Sequence, residues 1–152
     1  MAIHLEYSVS AKCRPEHIWQ KFEKLDQWAW WNRVIAQSKW LEGQPWQQGS
    51  RFLLGLARPM GMEIPVVILE CVPPEKVGWV GKLFGIRAEH WFSFELQPDG
   101  TTLMKTWEDF TGPGTLFFGN GRRRAVVKLY ADWFDALKFE AERIAREAAA
   151  RT

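Results

Sequence analysis

The sequence predicts an α+β fold in which a curved antiparallel sheet of about seven strands wraps one long C-terminal helix, with two short helices after the first strand. Three observations carry this. Short runs of alternating polar and apolar residues recur as far as Phe110. Tight-turn sequences separate those runs, so neighbouring strands are antiparallel. From Arg122 to about Ala149 a single helical stripe takes over, and no other segment is long enough to cover a sheet face.

Each element follows in order. Ile3, Leu5, Tyr7 and Val9 alternate with His4, Glu6, Ser8 and Ser10, as in a half-buried strand. Pro15 and Glu16 suit the first turn of a helix, and Ile18, Trp19, Phe22 and Leu25 form its apolar side. Asp26 is expected to cap a second short helix carrying the aromatic knot Trp28, Trp30 and Trp31. Strands are then expected over 34–41, 51–57, 63–72, 76–82, 86–96 and 101–110. Pro65 argues for an edge position or a bulge. Gly112-Pro113-Gly114 and the apolar Leu116-Phe117-Phe118 precede the last helix, whose stripe is Val126, Tyr130, Trp133, Leu137, Ala141 and Ile144, widened by Leu129 and Phe134.

The 152 residues fit one domain, 1–152. A chain of this size buries roughly 68–70% of its unfolded surface, enough for a core without staples. Ten Trp beside ten Phe are unusual, and such large rings are hard to pack without gaps, so an internal cavity is expected. A net charge of +2 is too small to imply nucleic acid. Cys13 and Cys71 match no metal or disulfide spacing and read as reduced thiols. The N-terminus lacks a signal peptide's apolar stretch, and the run Val66–Leu69 is far short of the ~20 residues that span a bilayer. A cytoplasmic protein without metal or cofactor is expected, since no nucleotide loop, nucleophile elbow or acidic cluster occurs. The oligomeric state is left open, a homodimer included.

The loop Pro98-Asp99-Gly100 sets the register of the last hairpin. Pro fits the first corner of a type I turn and Gly the left-handed position that follows. Closing Gln97 against Thr101 places Phe94 opposite Met104, Phe92 opposite Thr106 and His90 opposite Glu108. Ile86, Ala88, His90, Phe92, Phe94 and Leu96 then share the inner face, with Trp91 outside. Met104, Thr106, Glu108 and Phe110 are placed inward, because the other parity would bury Lys105. His90 and Glu108 thus become polar neighbours in an apolar box. They are the candidate catalytic residues, as an acid/base pair, or else a ligand-orienting pair, or simply a self-satisfied or water-linked one. Trp79, Phe92, Met104, Phe110, Trp133 and Leu137 are expected to border one pocket of ~300–1,000 Å³. Thr106 and Tyr130 complete the candidate lining. Trp79 reads as a ligand-stacking wall or as core. His4 and His17 are expected to be exposed and inert. Arg122-Arg123-Arg124 reads as a solvated charge run, an anion contact at the cavity mouth or a partner surface. Leu116-Phe118 is either a lid or core.

Several motifs, in order, carry a resemblance: Pro15-Glu16-His17-Ile18-Trp19, Asp26 to Trp31-Asn32, Gly43 with Gly49-Ser50-Arg51-Phe52, Pro73-Pro74-Glu75-Lys76-Val77-Gly78-Trp79, Asp99-Gly100-Thr101-Thr102, Glu108 to Gly112, and Leu137-Lys138 to Glu142. Together they resemble the helix-grip fold of the START/Bet v1-like superfamily (SRPBCC), most of all its polyketide cyclase/dehydrase-like branch. The resemblance spans nearly the whole chain. It implies a cavity for lipids, polyketides or other apolar ligands more strongly than it implies a reaction. It also implies that the short helices sit in the crook of the sheet, with Trp28 plugging one end of the cavity and Trp30 outward. Three functions are consistent with it: a binder of a small hydrophobic or aromatic ligand, a true cyclase or dehydrase, and a protein–protein adaptor or co-chaperone-like domain. A filled interior with an exposed apolar patch around Trp91 or Phe117-Phe118 would mark the last.

Overall fold

A computed structural model describes residues 2–152. Alternation drives the first element, β1 (Ala2–Ala11), and Pro15 opens α1 (Pro15–Phe22). Here the sequence expectation needs three corrections. Asp26 does not cap the second helix; it lies inside a short 3-10 turn, Leu25–Gln27, and α2 (Trp28–Trp31) follows with Gln27 before it and no side-chain cap. His17 is not idle either, because its Nδ1 accepts the Arg14 backbone N–H at 3.2 Å and closes the start of α1. His4 is likewise engaged, its ring nitrogens lying 2.6 Å from Asp109 Oδ1 and 3.2 Å from Glu6 Oε2 on the outer sheet face.

Six strands follow: β2 (Ile35–Glu42), β3 (Arg51–Leu56), β4 (Met62–Val72), β5 (Lys76–Leu83), β6 (Ile86–Leu96) and β7 (Thr102–Thr111). Among the described residues they form one antiparallel sheet in the order β1-β7-β6-β5-β4-β3-β2. Register shifts in β2 and in β4 after Ile68 bend the sheet, as bulges do. Pro65 pairs with Leu53 on β3, and the ladder to β5 starts only at Val66, so its missing N–H falls outside that ladder.

The last hairpin closes as its loop dictates. Gln97 N–H meets Thr101 O at 2.8 Å, Gly100 stands at φ 88°, and His90 pairs with Glu108, Phe92 with Thr106 and Phe94 with Met104. Lys105 points outward to Glu95 at 3.2 Å. Trp91 is outside but not bare. It lies over Gly78, leaving no room for a Cβ there, and stacks on Trp107 at 6.4 Å.

A 3-10 turn (Pro113–Phe117) leads into α3 (Asn120–Ala150), which the sheet grips through Leu129, Tyr130, Trp133, Phe134, Leu137 and Ala141. Val126 and Ile144, at the two ends of the predicted stripe, are half-buried. Phe22 is the hub of the packed half of the interior, with Trp28, Trp79, Phe92 and Phe94 rings 5.1–6.3 Å away. Trp28 adds Trp133 at 5.2 Å and Phe52 at 5.9 Å. Its indole N–H donates to Phe22 O at 2.8 Å, so the buried Trp28 donor is paired. The aromatic knot is therefore a solid wedge between sheet and helix, while Trp30 faces solvent.

Candidate functional site

The half of the grip nearest the β5–β6 turn is hollow. A cavity of about 610 Å³ lies between α3 and strands β3 to β7, within the ordinary range for small-molecule sites. Its cause is local. Gly81 on β5 pairs directly with Ala88 on β6, so the two smallest inward residues stand together and cannot reach the helix. Leu54, Ile64, Val126 and Leu129 complete much of its apolar wall.

Four of the candidate lining residues border this space: His90, Glu108, Phe110 and Trp133. The other seven do not, which corrects the sequence expectation. Trp28, Trp79, Phe92, Met104 and Leu137 belong to the ring-packed core, because Phe22 and Trp28 already occupy that level of the grip. Thr106 and Tyr130 stand behind the wall and act through their neighbours. Conversely, Leu54, Leu56, Met60, Met62 and Leu83 line the cavity without having been expected there, and Arg122 stands in the lining as one of its three sequence readings has it. The Gly81–Ala88 pair was a usable signal for them. It follows from a two-residue turn at Phe84-Gly85.

The polar pair sits at the deep end. Along β6, Ile86 is near the mouth and His90 is four residues further in, or ~13 Å at the usual strand rise. Thr106 Oγ donates to Trp91 O at 2.9 Å, so it accepts from His90 Nε2, 2.7 Å away. That chain fixes the tautomer: Nε2 carries the proton and Nδ1 is a bare acceptor. Burial lowers the His90 pKa to about 3, so the ring is neutral at physiological pH. Nδ1 lies 3.7 Å from Glu108 Oε2, too far for a direct hydrogen bond.

Glu108 is placed by Tyr130, whose hydroxyl donates to Oε1 at 2.5 Å. Burial raises the Glu108 pKa to about 7, the Tyr130 bond opposing and the nearby Asp109 charge assisting. Burial also pushes the Tyr130 phenol far up, so it stays a donor. The expectation that Glu108 would favour an imidazolium gives way to desolvation, which disfavours both charges. The site therefore offers a neutral acceptor at His90 Nδ1 and a carboxyl that is half-protonated near neutrality. A single group entering between them can donate to one and accept from the other. Trp133 lines the same cavity, and its indole N–H has no acceptor among the described residues.

Cys13 and Cys71 take no part. Both are free, and burial pushes each thiol up to about 11, which keeps them unreactive. Among the described residues no cluster of His, Cys, Asp and Glu could hold a metal ion, and no helix is long and apolar enough to cross a membrane.

A long helix gripped by a seven-stranded antiparallel sheet, enclosing an apolar cavity, defines the helix-grip class of the START/Bet v1 superfamily. Residues 2–142 match the family described as polyketide cyclase / dehydrase and lipid transport, and the chain belongs to it. Its fold is similar to that of the Zhui aromatase/cyclase from Streptomyces sp. R1128, at 14% identity and a TM-score of 0.76, covering 94% of this chain and 95% of that one. A START superfamily protein from Mycobacterium smegmatis is similar at 14% identity and a TM-score of 0.65, with 95% and 98% covered. Norcoclaurine synthase from Thalictrum flavum is similar at 6% identity and 0.73, with 93% and 94% covered. These likenesses establish the fold alone. No curated protein matches the sequence.

Proposed function

We propose that the protein binds a small hydrophobic or aromatic ligand, polyketide- or lipid-like, with one polar group held between His90 and Glu108. The observation that carries this is an apolar cavity whose deep end holds one pre-positioned acceptor and one carboxyl near its midpoint of titration. A hydroxyl or enol on the ligand matches both, donating to His90 Nδ1 and meeting the Glu108 carboxyl. The ligand's apolar body fills the space towards the mouth, where burial supplies most of the affinity.

A cyclase- or dehydrase-like reaction is a second reading, favoured by the Glu108 pKa of about 7. A carboxyl at that value accepts and returns a proton near neutral pH, as enolisation or dehydration requires. His90, neutral until far below physiological pH, orients the substrate rather than serving as the base. An adaptor role is disfavoured, because it has no use for a hollow interior.

Native mass spectrometry of protein from its own host tests the binding. A co-purified apolar molecule is expected. Ala88→Phe puts a ring into the cavity and should remove that molecule while the melting temperature holds. A chain that is empty from its host, and that takes up no apolar probe, would refute the reading.

A further inference from the structure

The cavity opens through three loops, and each presents a bare apolar side chain. Met60 on the β3–β4 loop is 56% exposed, Phe84 on the β5–β6 turn 78%, and Phe117 before α3 75%; all three border the mouth. Leu116, beside Phe117, is 73% exposed. Solvated rings of this size at one opening are an interaction feature rather than a leftover of folding.

Phe84 makes the point most sharply. It occupies a two-residue hairpin turn with φ 53°, followed by Gly85 at φ 72°. Asn-Gly is the preferred sequence there, and a bulky residue in the left-handed region is strained. The chain accepts that strain to hold a ring in water.

The charge around the rim is one-signed. No Asp or Glu occurs from Arg51 to Met62, from Lys76 to Ala88 or from Phe110 to Ala131, the three segments that carry the mouth. These segments hold nine Lys and Arg, which leaves 11 basic against 18 acidic residues elsewhere. The small net charge of the whole chain hides this polarity. Arg58, Lys82, Arg122, Arg123 and Arg124 are exposed and form no ion pair among the described residues.

We propose that this rim docks on the surface of an anionic phospholipid bilayer, with Met60, Phe84, Leu116 and Phe117 inserted among the acyl chains and the arginines on the headgroups. Apolar tips ringed by unpaired cations match that interface. An acidic protein would satisfy the charges but leaves the convergence of three apolar tips on an open cavity unexplained. With the mouth seated on the bilayer, an apolar ligand passes between membrane and cavity without crossing water. The passage rests on the ligand reading above, whereas the docking itself does not.

Co-sedimentation with vesicles tests it. Wild-type protein should pellet with vesicles of phosphatidylcholine mixed with phosphatidylglycerol, poorly with phosphatidylcholine alone, and less as salt rises. R58Q/R123Q/R124Q should weaken the partition on the order of 100-fold. F84S/F117S should weaken it at least ~10-fold. Both variants change exposed residues, so neither should lower the melting temperature. Absence of binding to anionic vesicles would overturn the proposal, as would binding indifferent to lipid charge and to these substitutions. Binding to polyglutamate without binding to vesicles would mark an acidic protein partner instead. A dimer that F84S/F117S converts to monomer, with no vesicle binding, would mark an interface between copies. Vesicle binding by a chain that takes up no apolar probe would keep the docking and remove the ligand reading.

Discussion

Replacing Glu108 with Gln should change how stability depends on pH, and the structure gives the sign. Burial raises the Glu108 pKa from 4.5 to about 7. Between those values the folded chain holds a proton that the unfolded chain has released, so stability falls as pH rises through that window. At 1.36 kcal/mol per pKa unit the loss is about 3 kcal/mol above pH 7. This is a ceiling, because the side chain is 14% exposed and faces a cavity that water can enter. His90 works the other way. Its pKa falls from 6.5 to about 3, so its contribution is complete above 6.5 and is lost as pH falls towards 3. Between pH 4.5 and 6.5 the two slopes oppose, and the wild type should show a plateau. Gln at 108 keeps an oxygen for the Tyr130 hydroxyl but cannot ionise. E108Q should therefore lack the plateau, gain stability steadily from pH 3 to 6.5, and exceed wild type by up to about 3 kcal/mol at pH 8. Urea unfolding followed by tryptophan fluorescence, at pH 4, 5.5 and 8, reads this directly. An E108Q variant with the wild-type pH profile, or one less stable than wild type at pH 8, would refute the buried-carboxyl account.

Further outcomes follow from the same geometry. Thr106→Val strands the His90 Nε2–H and should cost ~1–3 kcal/mol in urea unfolding; it should also weaken apolar-probe binding, because the ring loses its fixed tautomer. Trp28→Ala removes the centre of the aromatic wedge and should cost ~3–5 kcal/mol, measured by the same unfolding curves. Phe84→Asn suits the left-handed turn, so it should raise stability by ~1 kcal/mol while reducing vesicle binding, the opposed result expected where strain serves a function.

Much of this protein was legible along the chain because antiparallel sheets encode themselves locally. Alternation fixes which face each strand turns inward, and Pro98-Asp99-Gly100 sets the β6–β7 register, so the pairing of His90 with Glu108 follows from the sequence alone. The stripe from Leu129 to Ala141 identified the helix that the sheet grips, and the ordered motifs identified the superfamily. What alternation cannot encode is depth. Trp79, Phe92 and Met104 point inward as expected, yet they face rings instead of empty space. The reason is that Phe22 and Trp28 arrive from a distant part of the chain and fill their level of the grip. The void lies beside Gly81 and Ala88, where no such wedge reaches. The electrostatics also waited for the tertiary structure. Only packing shows that desolvation outweighs attraction between His90 and Glu108, and that Tyr130 stands behind the carboxylate. The basic, ring-tipped rim is dispersed over three segments far apart in sequence, and it becomes one surface only when the sheet curls and brings its loops to a single mouth.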